Sequence, residues 1–351
     1  MRALWHPVSV ASCPVRLADF DYDLPAARIA QHPVEPRDAA RLLVDRGTGR
    51  PPDHRTVAEL PEELREGDLL VVNDSKVIPA RLRLLRSTGG AAEVLLLDPL
   101  DSAMRTWEAL ARPARKLRSG EVLLSGGIEL VRIVGRSDAG DTVVVEILGE
   151  GEPLELLARH GEMPLPPYIS APLEDASRYQ TVYADKPGSS AAPTAGLHLT
   201  PAVFDRLASI GVEVARVELV VGLDTFKPVA VDDPTTHPMH SERFRVPDDT
   251  WRRCHGARRV VAVGTTAVRA LESAAALDRM EGRTRLFIHR PYDWQVVDLL
   301  MTNFHLPRTT LLMMIDAFVG PRWRSLYDVA LADGYRFLSF GDAMLLDRAL
   351  A

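Results

Sequence analysis

The stretch ARLRLLRSTGGAAEVLLL, residues 80–97, decides the architecture. Two short apolar runs flank Ser87-Thr88-Gly89-Gly90, and in the first, Arg81-Leu82-Arg83-Leu84, polar and apolar residues alternate. A period of two fits a strand with one buried face, and the paired glycines fit the turn of a hairpin. The rhythm continues through residues 105–111, 121–124, 128–135 and 142–148, with Gly126-Gly127 and Gly140-Asp141 as breaks. Many short strands with turn signals and no helix predict a small β-barrel or sandwich over residues 77–149.

On either side the period changes. Upstream, residues 41–46 read as a strand, 56–64 as a helix and 68–72 as a buried strand. Downstream, a helix is expected at residues 153–160, where Pro153 opens it, and the proline-stiffened GEMPLPPYI returns the chain to the first unit. A helix over 201–210 follows, with Thr200 as its cap and Gly211 as its stop, and then a β-branched strand over 212–221. Residues 259–263 read as a strand that feeds a helix starting at Gly264-Thr265-Thr266. Residues 286–288 and 296–300 read as strands, 311–318 and 327–332 as helices, and 335–346 as strand, turn and tail.

Composition narrows the class. The chain has 351 residues, 46% hydrophobic and 26% charged, which is ordinary for a globular protein with room for two domains. A net charge of -6 means that any RNA contact needs a local basic face. One such face is a candidate: Arg112, Arg115, Lys116 and Arg118 fall within seven residues, either as a solvated turn or as a loop that meets phosphates. Cys13 and Cys254 are far apart and form no CxxC, which excludes a cysteine-pair zinc site and makes a reducing compartment the default. The first residues, interrupted by His6, Pro7 and Pro14, lack a signal-peptide pattern, and no apolar run reaches membrane-spanning length. A cytoplasmic protein with a short extension over residues 1–18 is expected.

Polar clusters mark the candidate site. In AAPTAGLH, residues 191–198, small and rigid residues lead to an imidazole; Pro193 fixes φ, Gly196 permits a positive φ, and little side chain stands between the backbone and a ligand. An ordinary loop before a helix would look similar. Asn73-Asp74 sits at a strand end, where ligands are often met, although polar turns there are common. Thr236 to Glu242 holds His237, His240 and Glu242; no third metal ligand at a fixed spacing is evident, so acid–base or structural hydrogen-bonding roles are the open readings. Gly264-Thr265-Thr266 offers helix N-terminal amides to an anion, without the lysine of a P-loop or a GxGxxG run. Met301 to Thr310 supplies Asn303 and His305.

These motifs, with DFDYDLPAARIAQHPVEPRDAARLLV, NDSKVIPARL, TGGAAEVLLL, GEMPLPPYI, HPMHSE, VVAVGTTAVRALES, TNFHLPRTTLLMM and YRFLSFGDAMLL, occur in order from about Asp19 to about Leu346. Together they resemble the S-adenosylmethionine:tRNA ribosyltransferase-isomerase family of the queuosine pathway. The resemblance implies a larger α/β domain built from both chain ends, residues 19–76 and 150–351, with the β-barrel inserted, in agreement with the change of period. It implies S-adenosylmethionine as ribosyl donor and no prosthetic group; no metal is expected, because His237 and His240 lack a third ligand at a fixed spacing. The acceptor it implies is the aminomethyl arm of a 7-deazaguanine base at the tRNA wobble position, and the product epoxyqueuosine, with adenine and methionine released. A soluble monomer or weak dimer is expected. In the matching motifs, His198, His240, Glu242 and His305 are candidates for catalysis. Asn73, Asp74, Ala192, Thr194, Gly196, Asp224, Thr265, Thr266, Arg269 and Asn303 are candidates for binding the substrate, and the four barrel cations for RNA. The chain departs from the family pattern at Val220, in place of histidine, at Asp224, in place of glycine, and at Arg290-Pro291-Tyr292. These departures leave two alternatives open: a small-molecule acceptor or altered chemistry on the same donor, and a non-catalytic RNA-binding protein of the same fold.

Overall fold

The computed structural model describes residues 15–47, 49–137, 142–222, 231–237, 239 and 241–349. Two sheets of different character dominate it. The first has nine strands, in spatial order Glu281–Thr284, Glu242–Arg245, Glu213–Leu219, Asp68–Asn73, Arg259–Val263, Leu299–Asn303, Ala343–Asp347, Arg41–Asp45 and Asp53–Thr56. Its middle is parallel: Glu213–Leu219, Asp68–Asn73, Arg259–Val263 and Leu299–Asn303 run the same way. Asp68–Asn73 is buried at every position, as a central parallel strand covered on both faces requires.

Alternate residues feed two cores. Leu69, Val71, Ala262 and Leu300 pack with Ala267, Leu271 and Ile315 of the helices Gly264–Leu277 and Thr310–Val319. Leu70, Val72, Val261, Val263 and Met301 face Val203 and Leu207 of the helix Pro201–Ser209. Thr200 caps that helix, its hydroxyl accepting from the Val203 amide at 3.3 Å. Strands drawn from both sides of the barrel thus share one α/β sheet.

The second sheet is a closed six-stranded antiparallel barrel of Val143–Ile147, Thr106–Arg112, Ala91–Pro99, Arg81–Arg86, Val122–Ser125 and Ile128–Arg136. Closure removes the open edges that short strands would otherwise expose. Leu82, Leu84, Val94, Trp107, Val131 and Val145 fill it, and Leu156 and Leu157 of the helix Pro153–His160 join that core. The architecture is therefore the expected α/β class with an inserted small β-barrel. The expected turn at Gly140-Asp141 and most of the N-terminal extension lie outside the described residues.

Three local expectations are corrected. Residues 335–346 are not strand, turn and tail: Ala343–Asp347 is an interior strand, antiparallel to Leu299–Asn303 and parallel to Arg41–Asp45. Its run of buried apolar residues suits a strand covered on both faces. Residues 286–288 form no strand; the edge strand is the polar segment Glu281–Thr284 instead. The strand expected over 296–300 is displaced to Leu299–Asn303 because the Glu272 carboxylate accepts the amides of Val296 and Val297, each at 3.0 Å, and so takes them from the ladder.

Candidate active site

In an open parallel sheet, the carboxyl ends of the strands leave a crevice where ligands bind. Here that edge carries a cavity. Arg259–Val263 delivers Gly264, Thr265 and Thr266 to it, and the end of Leu299–Asn303 delivers Thr302, Asn303, Phe304 and His305. Ala192 to Ala195, Val221, Tyr168, Leu338 and Ser339 close the remaining sides. No arginine, lysine, aspartate or glutamate lines it among the described residues.

Asn303 is the hub of a buried hydrogen-bond chain. Its Nδ2 donates to the Asp342 carbonyl at 3.4 Å, which fixes the amide orientation, since a carbonyl can only accept. The same nitrogen lies 3.0 Å from His198 Nε2, so that ring nitrogen accepts and His198 is neutral. The Asn303 Oδ1 meets the Thr194 hydroxyl at 3.0 Å. Burial, with the Arg336 and Arg37 guanidinium groups adding to it, holds His198 down to about 4. His198 is not itself a wall of the cavity; it reaches it through Asn303.

His305 is held on three sides. Its amide donates to the Tyr327 hydroxyl at 3.0 Å, its carbonyl accepts from the Tyr22 hydroxyl, and Nε2 bonds the Thr302 hydroxyl at 3.1 Å. Nδ1 has no partner among the described residues, on a side chain that lines the cavity. Burial pushes this imidazole down to about 3, so it too is neutral at physiological pH.

Gly264 adopts φ +85°, a backbone turn that favours glycine, and leads into the helix Gly264–Leu277. No side chain caps this helix. By contrast, Thr309 caps the helix Thr310–Val319, accepting from the Leu312 amide at 3.3 Å. The first-turn amides of Gly264–Leu277 therefore remain free of intrahelical or side-chain acceptors. One turn further, Arg269 forms a buried ion pair with Glu242, whose other oxygen accepts from the Gly222 amide at 3.4 Å. Burial lowers the Arg269 guanidinium to about 10, which leaves it cationic at neutral pH.

The same order of motifs and the same architecture recur in known proteins. The family model described as "Queuosine biosynthesis protein" matches residues 17–346. The chain belongs to the queuosine biosynthesis family. A protein of Symbiobacterium thermophilum named S-adenosylmethionine:tRNA ribosyltransferase-isomerase is 50% identical over 343 residues, covering 95% of this chain and all of that one. One of the same name from Thermus thermophilus is 49% identical over 350 residues, covering 94% and 99%. The crystal structure of S-adenosylmethionine tRNA ribosyltransferase from Thermotoga maritima superposes with a TM-score of 0.53 and 37% identity, covering 93% of this chain and 99% of that one. The protein is an enzyme of this transferase–isomerase family.

In this member of the queuosine family, Ala192, Thr194, Thr265, Thr266, Asn303 and His305 line the cavity. His198, Glu242 and Arg269 stand behind it through the contacts above. Asn73 and Asp74 do not line it. The Asn73 amide is spent on the Leu219 carbonyl and on the amides of Ser75 and Leu219, where it joins two strand ends. Burial raises the Asp74 carboxyl, with Arg216 opposing the shift. Asp224 and His240 lie outside the described residues.

Gly196 needs a different explanation from the one expected. Its φ is not positive; a Cβ there would clash with the Tyr183 hydroxyl oxygen, so close packing excludes a side chain. Sequence reasoning missed Tyr168, Phe304, Leu338 and Ser339 as walls. Tyr168 lies in GEMPLPPYI, where the proline-stiffened approach was the available signal; its hydroxyl meets Ser339 Oγ at 2.8 Å. Arg112, Arg115, Lys116 and Arg118 are exposed on the barrel. None forms an ion pair among the described residues.

Proposed function

We propose that the enzyme transfers and isomerises the ribosyl group of S-adenosylmethionine onto the aminomethyl group of 7-aminomethyl-7-deazaguanine at the tRNA wobble position. The product is epoxyqueuosine in tRNA, with adenine and methionine released. The observation that carries this reading is a secluded cavity, built from the family's own motifs, at the carboxyl ends of the parallel strands. The sulfonium acidifies the neighbouring ribose carbon, and a base removes that proton. Opening of the sugar expels adenine, the neutral amine attacks the unsaturated sulfonium left behind, and the aldehyde oxygen closes the epoxide as the carbon–sulfur bond breaks and methionine leaves. The low exposure of the walls supports exclusion of water during these steps.

His305 is the acid–base group assigned to the cavity, working as a neutral imidazole; His198 and Thr194 position Asn303. The tRNA contact is assigned to Arg112, Arg115, Lys116 and Arg118. Arg136 stands beside them, its guanidinium donating to the Ala114 carbonyl at 3.2 Å. The inserted unit over residues 77–149 is assigned as the RNA-contacting domain, and residues 19–76 and 150–351 as the catalytic domain. A tRNA-modifying enzyme works in the cytoplasm, and among the described residues no helix is long and apolar enough to cross a membrane.

A small-molecule acceptor is the second reading, raised by Val220 and Asp224. Val220 is buried, its amide donating to the Arg243 carbonyl at 2.9 Å, and its neighbour Val221 rather than Val220 lines the cavity. Loss of an imidazole at 220 therefore strips nothing from the described walls, which favours the tRNA acceptor. The test is incubation of donor labelled in its adenine with tRNA bearing the deazaguanine precursor, followed by mass spectrometry of the nucleosides. Adenine release that requires this tRNA and yields epoxyqueuosine is expected. Release without any RNA requirement would favour the small acceptor, and binding without turnover would contradict catalysis.

A further inference from the structure

The cavity contains one unused positive feature. The helix Gly264–Leu277 spans 14 residues and points an uncapped N-terminus at it. Its aligned peptide dipoles place about half a positive charge there, and the first-turn amides lack intrahelical acceptors. A second observation is independent of the helix end. Thr266 lines the cavity, is 8% exposed, and its Oγ1 is buried with no hydrogen-bond partner. A Cβ at Gly264 would stand in van der Waals contact with that oxygen, 3.6 Å away, so the glycine leaves that side of the hydroxyl without a side chain. A buried hydroxyl without a partner is destabilising in a folded protein unless a ligand satisfies it.

Resting on the reading that the cavity takes the sulfonium donor, we propose that the Thr265–Thr266 helix end and the Thr266 hydroxyl bind its α-carboxylate. The chemistry of the donor leaves one match. The sulfonium and the α-ammonium are cations, which the helix end repels, and adenine is neutral. The carboxylate is the donor's anion. With no arginine or lysine among the described lining residues, the amides and hydroxyl supply the donors it needs. Arg269, one turn along, is ion-paired with Glu242 through Nη1 and is not among the residues that line the cavity. Tyr168, Phe304 and Leu338 give the apolar walls that adenine and ribose require. The carboxylate end thus fixes which way the donor lies.

Calorimetric titration of the wild-type enzyme with S-adenosylmethionine and with its decarboxylated analogue tests the assignment. The intact donor should bind about 10- to 100-fold tighter, the range given by charge-assisted hydrogen bonds together with a helix end. Thr266→Val should weaken the intact donor about 10-fold and leave the analogue unchanged, while Thr266→Ser should bind as the wild type does. Thr266→Ala serves the same purpose if valine disturbs the packing. Equal affinity of the wild type for the two ligands, or equal weakening of both by Thr266→Val, would overturn the proposal while leaving the donor reading standing. Binding of neither ligand would overturn the donor reading and the proposal together.

Discussion

Replacing Asn303 by aspartate changes the hydrogen-bonding character of one atom at the centre of the site. In the wild type that atom is Nδ2, which donates to His198 Nε2 at 3.0 Å and to the Asp342 carbonyl at 3.4 Å. In Asn303→Asp an oxygen faces two acceptors. The conflict is relieved when His198 takes a proton on Nε2. The wild-type fold opposes that proton, holding His198 at about 4 against an ordinary 6.5. At about 1.4 kcal/mol per unit, an imidazolium there costs about 3 kcal/mol. A carboxylate about 3 Å away returns about 5 kcal/mol at an effective dielectric constant near 20, more than that cost, so His198 should titrate above its ordinary value in the variant.

The two proteins then respond to pH with opposite sign. In the wild type the folded value is depressed, so the unfolded chain binds more protons and stability is lost as pH falls from 6.5 towards 4. In the variant the folded value is raised. Its His198 contribution is fully present below about pH 6.5 and is lost as pH rises through the new value. Urea unfolding from about pH 5 to about pH 8, with imidazole titration by NMR, reads both effects. The variant should sit closest to wild type at the acid end and fall behind by about 1–3 kcal/mol at the alkaline end, where the imidazolium is lost and the carboxylate still faces the Asp342 carbonyl, acceptor to acceptor. Parallel stability profiles, or a His198 that still titrates near 4, would refute the assigned orientation of Asn303.

Gly196→Ala should destabilise by about 1–3 kcal/mol through its clash with Tyr183, and Tyr183→Phe should recover part of that loss. The recovery is partial because Thr181 Cγ2 still lies 3.1 Å from the new Cβ; urea midpoints read both numbers. Arg269→Met should cost about 3–5 kcal/mol by removing the guanidinium that pairs with the buried Glu242 carboxylate, and the double variant with Glu242→Gln should recover most of it. A single variant as stable as wild type would remove the ion pair from the account. Changing Arg112, Arg115, Lys116 and Arg118 together to alanine should weaken tRNA binding and flatten its salt dependence, by about 0.7–0.9 in slope for each phosphate no longer neutralised. An unchanged slope would place the RNA interface elsewhere.

Much of the fold was legible because local patterns agreed with the tertiary arrangement. Barrel strands announce themselves by alternation, and Pro153 and Thr200 mark helix starts that hold in three dimensions. Where the sequence misled, a distant partner intervened. Val296 and Val297 look like strand residues, but Glu272, more than twenty residues earlier, takes their amides. The strand Ala343–Asp347 was hidden because a chain end is ordinarily frayed, whereas here Leu299–Asn303 and Arg41–Asp45 enclose it. The polar clusters identified the cavity's floor through Thr194, Thr265, Thr266, Asn303 and His305. They could not reveal that His198 reaches the cavity through Asn303, since that depends on a side-chain contact across 105 positions. Nor could they separate the two reasons for a glycine: Gly264 needs its positive φ, and Gly196 needs the space of Tyr183.

A crystal structure of the enzyme soaked with S-adenosylmethionine tests the central claim most directly. The donor should occupy the cavity at the carboxyl ends of the parallel strands, in contact with Thr194, Thr266, Asn303 and His305. A donor bound instead in the groove of the sheet edge beside Arg243 and Arg283, with that cavity empty, would contradict it.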